Sequence, residues 1–179
     1  VARKFSFRPA LTLKGRKYKG LRGFAGKPFH PPLTDIPITA YVFAALFDVL
    51  SAAKERVWMH DAATLLLAGG ALVSLLAALT GWADWHRSSQ VGTQARRTIN
   101  AHAIIMIVTS VLVLVDLAVR GTGASSWGVA ILTVVSAGLV MIGSTYGGSL
   151  VFDYGFNVET AGDHPVWHES EDDVFPGQH

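Results

Sequence analysis

Four apolar blocks, at about 36–53, 62–83, 101–119 and 127–152, dominate the chain. Each is close to the ~20 residues a helix needs to cross a hydrocarbon core of ~30 Å. Half of the 179 residues are hydrophobic, and most of them fall in these blocks. Helices buried in a soluble bundle would carry polar stripes at helical spacing. The run LLLAGGALVSLLAAL is apolar on every side instead, which suits a lipid solvent. The pattern predicts an all-α integral membrane protein. A four-helix transmembrane bundle over 30–154 would carry N- and C-terminal cytoplasmic extensions, 1–29 and 155–179.

Charge sets the expected orientation. Nine of the fifteen basic residues precede the first block: Arg3, Lys4, Arg8, Lys14, Arg16, Lys17, Lys19, Arg22 and Lys27. Arg87, Arg96 and Arg97 lie between blocks two and three, and only Lys54, Arg56 and Arg120 fall in the other two loops. The positive-inside rule then puts both termini in the cytoplasm of a bacterial inner membrane. The first 30 residues have no apolar run, so no signal peptide is expected. The tail after Phe152 is acidic, with Asp153, Glu159, Asp163, Glu169, Glu171, Asp172 and Asp173 and no Lys or Arg. The basic arm can rest on anionic lipid headgroups. Its Phe5, Phe7, Tyr18, Phe24 and Phe29 also fit docking of a soluble partner. For that role the candidates are Arg3, Lys4, Arg8, Lys14, Arg16, Lys17, Lys19 and Arg22. Nucleic acid is not an expected partner of a four-span anchor.

Helix ends follow from local chemistry. Pro37 suits a first helical turn, so HPPLTDIP reads as a rigid lead-in to span one. Asp61 reads as the cap of span two, and Trp82 and Trp85 suit a membrane interface at its end. Span three is expected to open near Thr98 or Asn100, and span four after GTGASSW. Gly143 and Gly147 form a G-x-x-x-G spacing that lets another helix approach closely.

Ionisable groups near spans are costly and therefore informative. On the outer face, Asp116 and Arg120 stand four apart and can pair, while Asp48 can pair with Lys54, Arg56 or His60. On the inner face, His30, Asp35, Asp84, His86 and His102 suggest a ring. A quinone head needs a hydrogen-bond donor and a proton source beside apolar walls. The candidate quinone site is His30, Asp35, Tyr41, Trp82, Asp84, Trp85, His86 and His102, for menaquinone or ubiquinone. Haem b is not expected: axial histidines must face one another, His60 and His102 fall on opposite faces, and neither His86 nor His102 is mid-span. Metal is not expected, because no tight ligand spacing occurs. No cysteine is present, so this chain ligates no iron–sulfur cluster through Cys. No nucleophile–base motif or phosphate loop marks an enzyme acting alone.

The segments FHPPLTDIP, FDVL, LTGWADW, INAHA and STYGGSLVFDYGFNVE, taken in order, resemble a family of four-span bacterial membrane proteins founded as a domain of unknown function. The resemblance covers roughly 28–160. It implies association with Rieske-type iron–sulfur domains, which a chain without Cys would need on a separate polypeptide. It also implies a possible place as the anchor of an actinobacterial succinate dehydrogenase, with flavoprotein and iron–sulfur subunits docked on the cytoplasmic face. The expectation is a membrane-anchor subunit of a quinone-linked oxidoreductase, not catalytic alone. The alternatives are a structural assembly subunit without a quinone role, or a small transporter or proton-pathway protein.

Overall fold

The computed structural model describes residues 28–158. The basic arm, with the residues expected to dock a partner, and the acidic tail beyond Val158 lie outside them. Four helices make up the fold: α1 (His30–Lys54), α2 (Val57–Ser88), α3 (Gln94–Val119) and α4 (Trp127–Phe152). The shortest has 25 residues, about 37 Å at 1.5 Å per residue. All four are long and apolar enough to cross a membrane. The bundle runs up and down. The start of α1 meets the end of α2, since His30 bonds Ala77. The start of α3 meets the end of α4, since His102 bonds Gly143. We call this the terminal end, because the described chain begins and finishes there, and the other the loop end. Neighbours are α1 with α2, α3 with α4, α1 with α4 and, least closely, α2 with α3. The pair α1 and α3 is therefore a diagonal.

Burial is inverted relative to a water-soluble bundle. Much of the interior is small or polar, Ala40, Ala44, Ala63, Thr109 and Ser136 among it, around a few larger side chains such as Tyr41, Leu67, Val113 and Val140. Large residues such as Leu65, Leu72, Ile104, Ile107, Leu114 and Ile131 point outward. Lipid is as apolar as leucine, so nothing drives leucines inward, and small residues let the helix backbones approach. Gly70 is one such approach: a Cβ there would come within 2.7 Å of the Tyr41 ring. Tyr41 is fully buried, and its hydroxyl lies 2.8 Å from the Ser74 hydroxyl.

The helix ends differ from the sequence expectation. Pro37 lies inside α1, and Pro31 and Pro32 occupy its first turn. HPPLTDIP is therefore helix and not a lead-in to it. Pro37 removes only the bond to the Leu33 carbonyl, a loss tolerated where surrounding groups can compensate. Thr34 donates back to the Pro31 carbonyl at 2.7 Å, within the same turn. Nor is Asp61 a cap, because α2 begins four residues earlier, after Arg56. The α1–α2 connection is a tight turn in which Glu55 takes a left-handed conformation (φ 52°) and Ser51 Oγ donates to the Arg56 carbonyl at 2.8 Å. Thr93 caps α3, accepting from Arg96 N–H, so that helix starts earlier than Thr98. Ser126 caps α4 by accepting from Val129 N–H.

Candidate functional site

Polar groups gather at both ends of the bundle. At the loop end every helix contributes to one buried cluster. Asp48 of α1 and Asp116 of α3 are fully buried. The chain leaves α3 at Arg120, whose side chain turns inward and is 3% exposed. Its guanidinium grips both oxygens of Asp48, one at 3.1 Å and the other closer. It also donates to Thr64 of α2 at 3.1 Å and to Thr133 of α4 at 3.2 Å. Arg120 Nε and Asp116 Oδ1 are 3.1 Å apart. Their angle is outside hydrogen bonding, so each relies on the other electrostatically. Ser125 donates to Asp48 at 2.6 Å, and His60 Nδ1 stands 3.8 Å from the same carboxylate.

The Asp116–Arg120 pair is therefore present as expected from its spacing. For Asp48 one of the three expected partners, His60, is present at 3.8 Å; Lys54 and Arg56 are exposed, and the main partner is the unexpected Arg120. Arg120 is not a loop cation either. Its guanidinium is spent inside the bundle, where two carboxylates need a countercharge. Among the described residues each charge here has an opposite charge near it, so the cluster locks the four helices together.

The terminal end is built differently. His30, in the first turn of α1, has Nδ1 2.8 Å from the Ala77 carbonyl and 3.3 Å from the Thr80 hydroxyl. Facing a carbonyl, that nitrogen must carry the proton. His102, two turns into α3, likewise donates from Nδ1 to the Gly143 carbonyl at 2.7 Å. In each neutral ring Nε2 is then left with a lone pair, and among the described residues neither Nε2 has a hydrogen-bond partner. The two imidazoles meet across the diagonal, centroids 6.3 Å apart and planes at 88°. Glycines make room for both. A Cβ at Gly81 would come within 2.8 Å of the His30 ring, and one at Gly147 within 3.2 Å of the His102 ring. Asp84 is buried nearby, close enough to act on His30 electrostatically.

Of the eight residues read as a quinone site, the structure brings together His30, Asp84 and His102. Asp35 is exposed on the outside of α1. Trp82 is 62% exposed and lies against His86, ring centroids 5.7 Å apart, so this pair faces outward from the bundle. Trp85 donates to Asn100 Oδ1 at 2.9 Å and carries the Arg96 guanidinium over its ring at 3.7 Å, bracing α2 against α3. Tyr41 sits deeper, on Ser74 and Gly70. The partner of His102 is neither His60 nor His86, the two weighed from the sequence, but His30. The G-x-x-x-G spacing does mark a close approach: Met106 packs on Gly143 and His102 on Gly147. Among the described residues no group of three or more His, Asp or Glu could hold a metal ion.

Residues 26–160 fit the model of a family described as predicted membrane protein (DUF2231), and the chain belongs to that family. No curated protein and no solved structure matches it.

Proposed function

We propose that this DUF2231 member is a membrane-anchor subunit of a quinone-linked oxidoreductase, with its redox site at the terminal end. The observation that carries the reading is the convergence of His30, His102 and Asp84 from three helices at that end. A quinone head needs a proton source and hydrogen-bonding groups beside an apolar approach. Asp84 is a group of the first kind. The Trp82–His86 pair lies on the opposite, outward face of the same helix end, where aromatic side chains suit the membrane interface, and the His30–His102 pair shares the interior with Asp84. The positive-inside rule assigns this end to the cytoplasm. There the basic arm and acidic tail would meet soluble redox subunits: a flavoprotein and iron–sulfur proteins of the succinate dehydrogenase type, or a separate Rieske-type chain. The family resemblance of the sequence supports that choice of partners.

The test is capture of partners by the tagged full chain, extracted in mild detergent from its own membranes, with mass spectrometry of what co-purifies. Recovery of flavoprotein and iron–sulfur subunits, with donor-driven quinone reduction that falls in Asp84→Asn, supports the reading. Recovery of this chain alone, under conditions where known membrane complexes survive, overturns it.

A further inference from the structure

We propose that His30 and His102 are the two axial ligands of a haem held across the bundle diagonal. The proposal rests on reading the terminal end as a redox site, but not on the quinone or on the docked subunits.

Four observations converge. First, α1 and α3 do not pack on one another, so their two imidazoles face across the interior and not along a helix seam. Second, the separation fits. Two collinear metal–imidazole bonds of about 2 Å, plus about 1 Å from each nitrogen to its ring centre, put the centroids about 6 Å apart. The observed distance is 6.3 Å. Third, each Nδ1–H is bound to a backbone carbonyl. This is how ligating histidines are usually held, with the tautomer fixed and the lone pair on Nε2. Fourth, Gly81 and Gly147 stand where any side chain would push a ring out of place.

The ligand count decides the class of cofactor. Two opposed imidazoles supply only axial bonds, whereas a bare zinc ion would need about four protein or solvent ligands. A tetrapyrrole brings its own four equatorial nitrogens, and two histidines complete it. A b-type haem fits that donor set. With both imidazoles on iron, the quinone head of the proposed function would meet Asp84.

The experiment titrates the full chain in mild detergent with ferric protoporphyrin IX, and also examines protein purified from cells supplied with a haem precursor. The expected result is one haem per chain by the pyridine haemochrome assay, with a low-spin bis-imidazole absorption spectrum. Near-perpendicular axial rings also predict a highly anisotropic low-spin ferric EPR signal. His30→Ala and His102→Ala should each lose the low-spin spectrum and about tenfold or more in affinity. His86→Ala should keep both. Because an alanine variant could misfold, His102→Met provides a second readout: a folded chain should change from a bis-imidazole to a His/Met spectrum. Wild-type protein with full helical content that takes up no stoichiometric haem overturns the proposal. So does a low-spin spectrum that survives all three substitutions of His30 and His102. Either failure leaves the anchor reading standing, since partner capture is measured without haem. A haem spectrum in a chain that captures no partner would sink the anchor reading alone.

Discussion

Replacing Arg120 by Met tests whether the loop-end cluster is an electrostatic lock. The guanidinium touches Asp48, Asp116, Thr64 and Thr133, so its removal strips the main cation from two fully buried carboxylates. Among the described residues only His60, 3.8 Å from Asp48, remains as a countercharge. Breaking one partner out of a buried pair typically costs about 3–5 kcal/mol. The orphaned carboxylates can limit the loss by taking up protons, because a buried group neutralises before it stays charged. The expected cost is therefore near the lower bound, about 3 kcal/mol. The assay is denaturant unfolding in mixed micelles at fixed detergent ratio, followed by helical content. A triple variant gives the diagnostic: Asp48→Leu, Asp116→Leu and Arg120→Met together. Of the hydroxyls left behind, Thr133 keeps the Val129 carbonyl at 2.9 Å, Thr64 the His60 carbonyl at 2.8 Å, and Ser125 the His60 Nδ1 at 2.9 Å. Removing all three charges should thus recover most of the loss, leaving about 1 kcal/mol or none. If Arg120→Met stays within about 1 kcal/mol of wild type, or the triple variant is as unstable as the single one, the cluster contributes packing and not charge compensation.

The Thr133 hydroxyl lies 2.7 Å from both Asp48 and Asp116, yet it carries one hydrogen. It can therefore donate to only one carboxylate at a time, and Thr133→Val should destabilise the bundle by about 1–3 kcal/mol in the same unfolding assay; a variant as stable as wild type refutes that role. Gly70→Ala should destabilise by about 1–3 kcal/mol by pressing on the buried Tyr41 ring, whereas Gly69→Ala, with open space around it, should be neutral or gain up to about 1 kcal/mol of helix propensity; equal unfolding midpoints for the two would contradict the packing described. The chain has no native Cys, so single cysteines report topology cleanly. An impermeant maleimide added outside intact cells should label Glu55→Cys and Thr122→Cys but not Gln90→Cys, and the reverse pattern would invert the orientation.

The helices were legible in the sequence because lipid leaves a spanning segment little choice but to be long, apolar and helical. Their ends were not, since a boundary is set by one or two capping contacts. HPPLTDIP reads as a break wherever proline is taken as a stop, and only the tertiary setting makes Pro37 an interior residue. Asp116 and Arg120 could be paired from spacing alone because both lie on one helical face. Asp48 could not be matched with Arg120, nor His30 with His102, because sequence carries no signal for which helices sit opposite one another. Arg120 looked like a loop cation for the same reason: it borders Gly121, and nothing local shows its side chain turning inward. The glycines of GSTYG announced a close approach without saying that an imidazole makes it.

Counting ionisable residues at a face therefore misleads, and the state of their partners separates a lock from a site. Both ends of this bundle bury titratable groups drawn from several helices. At the loop end two carboxylates surround a guanidinium with hydroxyls filling the gaps, so a ligand would have to displace a charge from its countercharge, a change costing several kcal/mol. At the terminal end the carbonyls of Ala77 and Gly143 fix two imidazoles without saturating them. The backbone supplies the orientation, and among the described residues Nε2 of each ring has no hydrogen-bond partner. A ligand arriving there displaces no ion pair that the imidazoles make with one another. The asymmetry favours binding at the His30–His102 end, even though the loop end holds the more deeply buried charges.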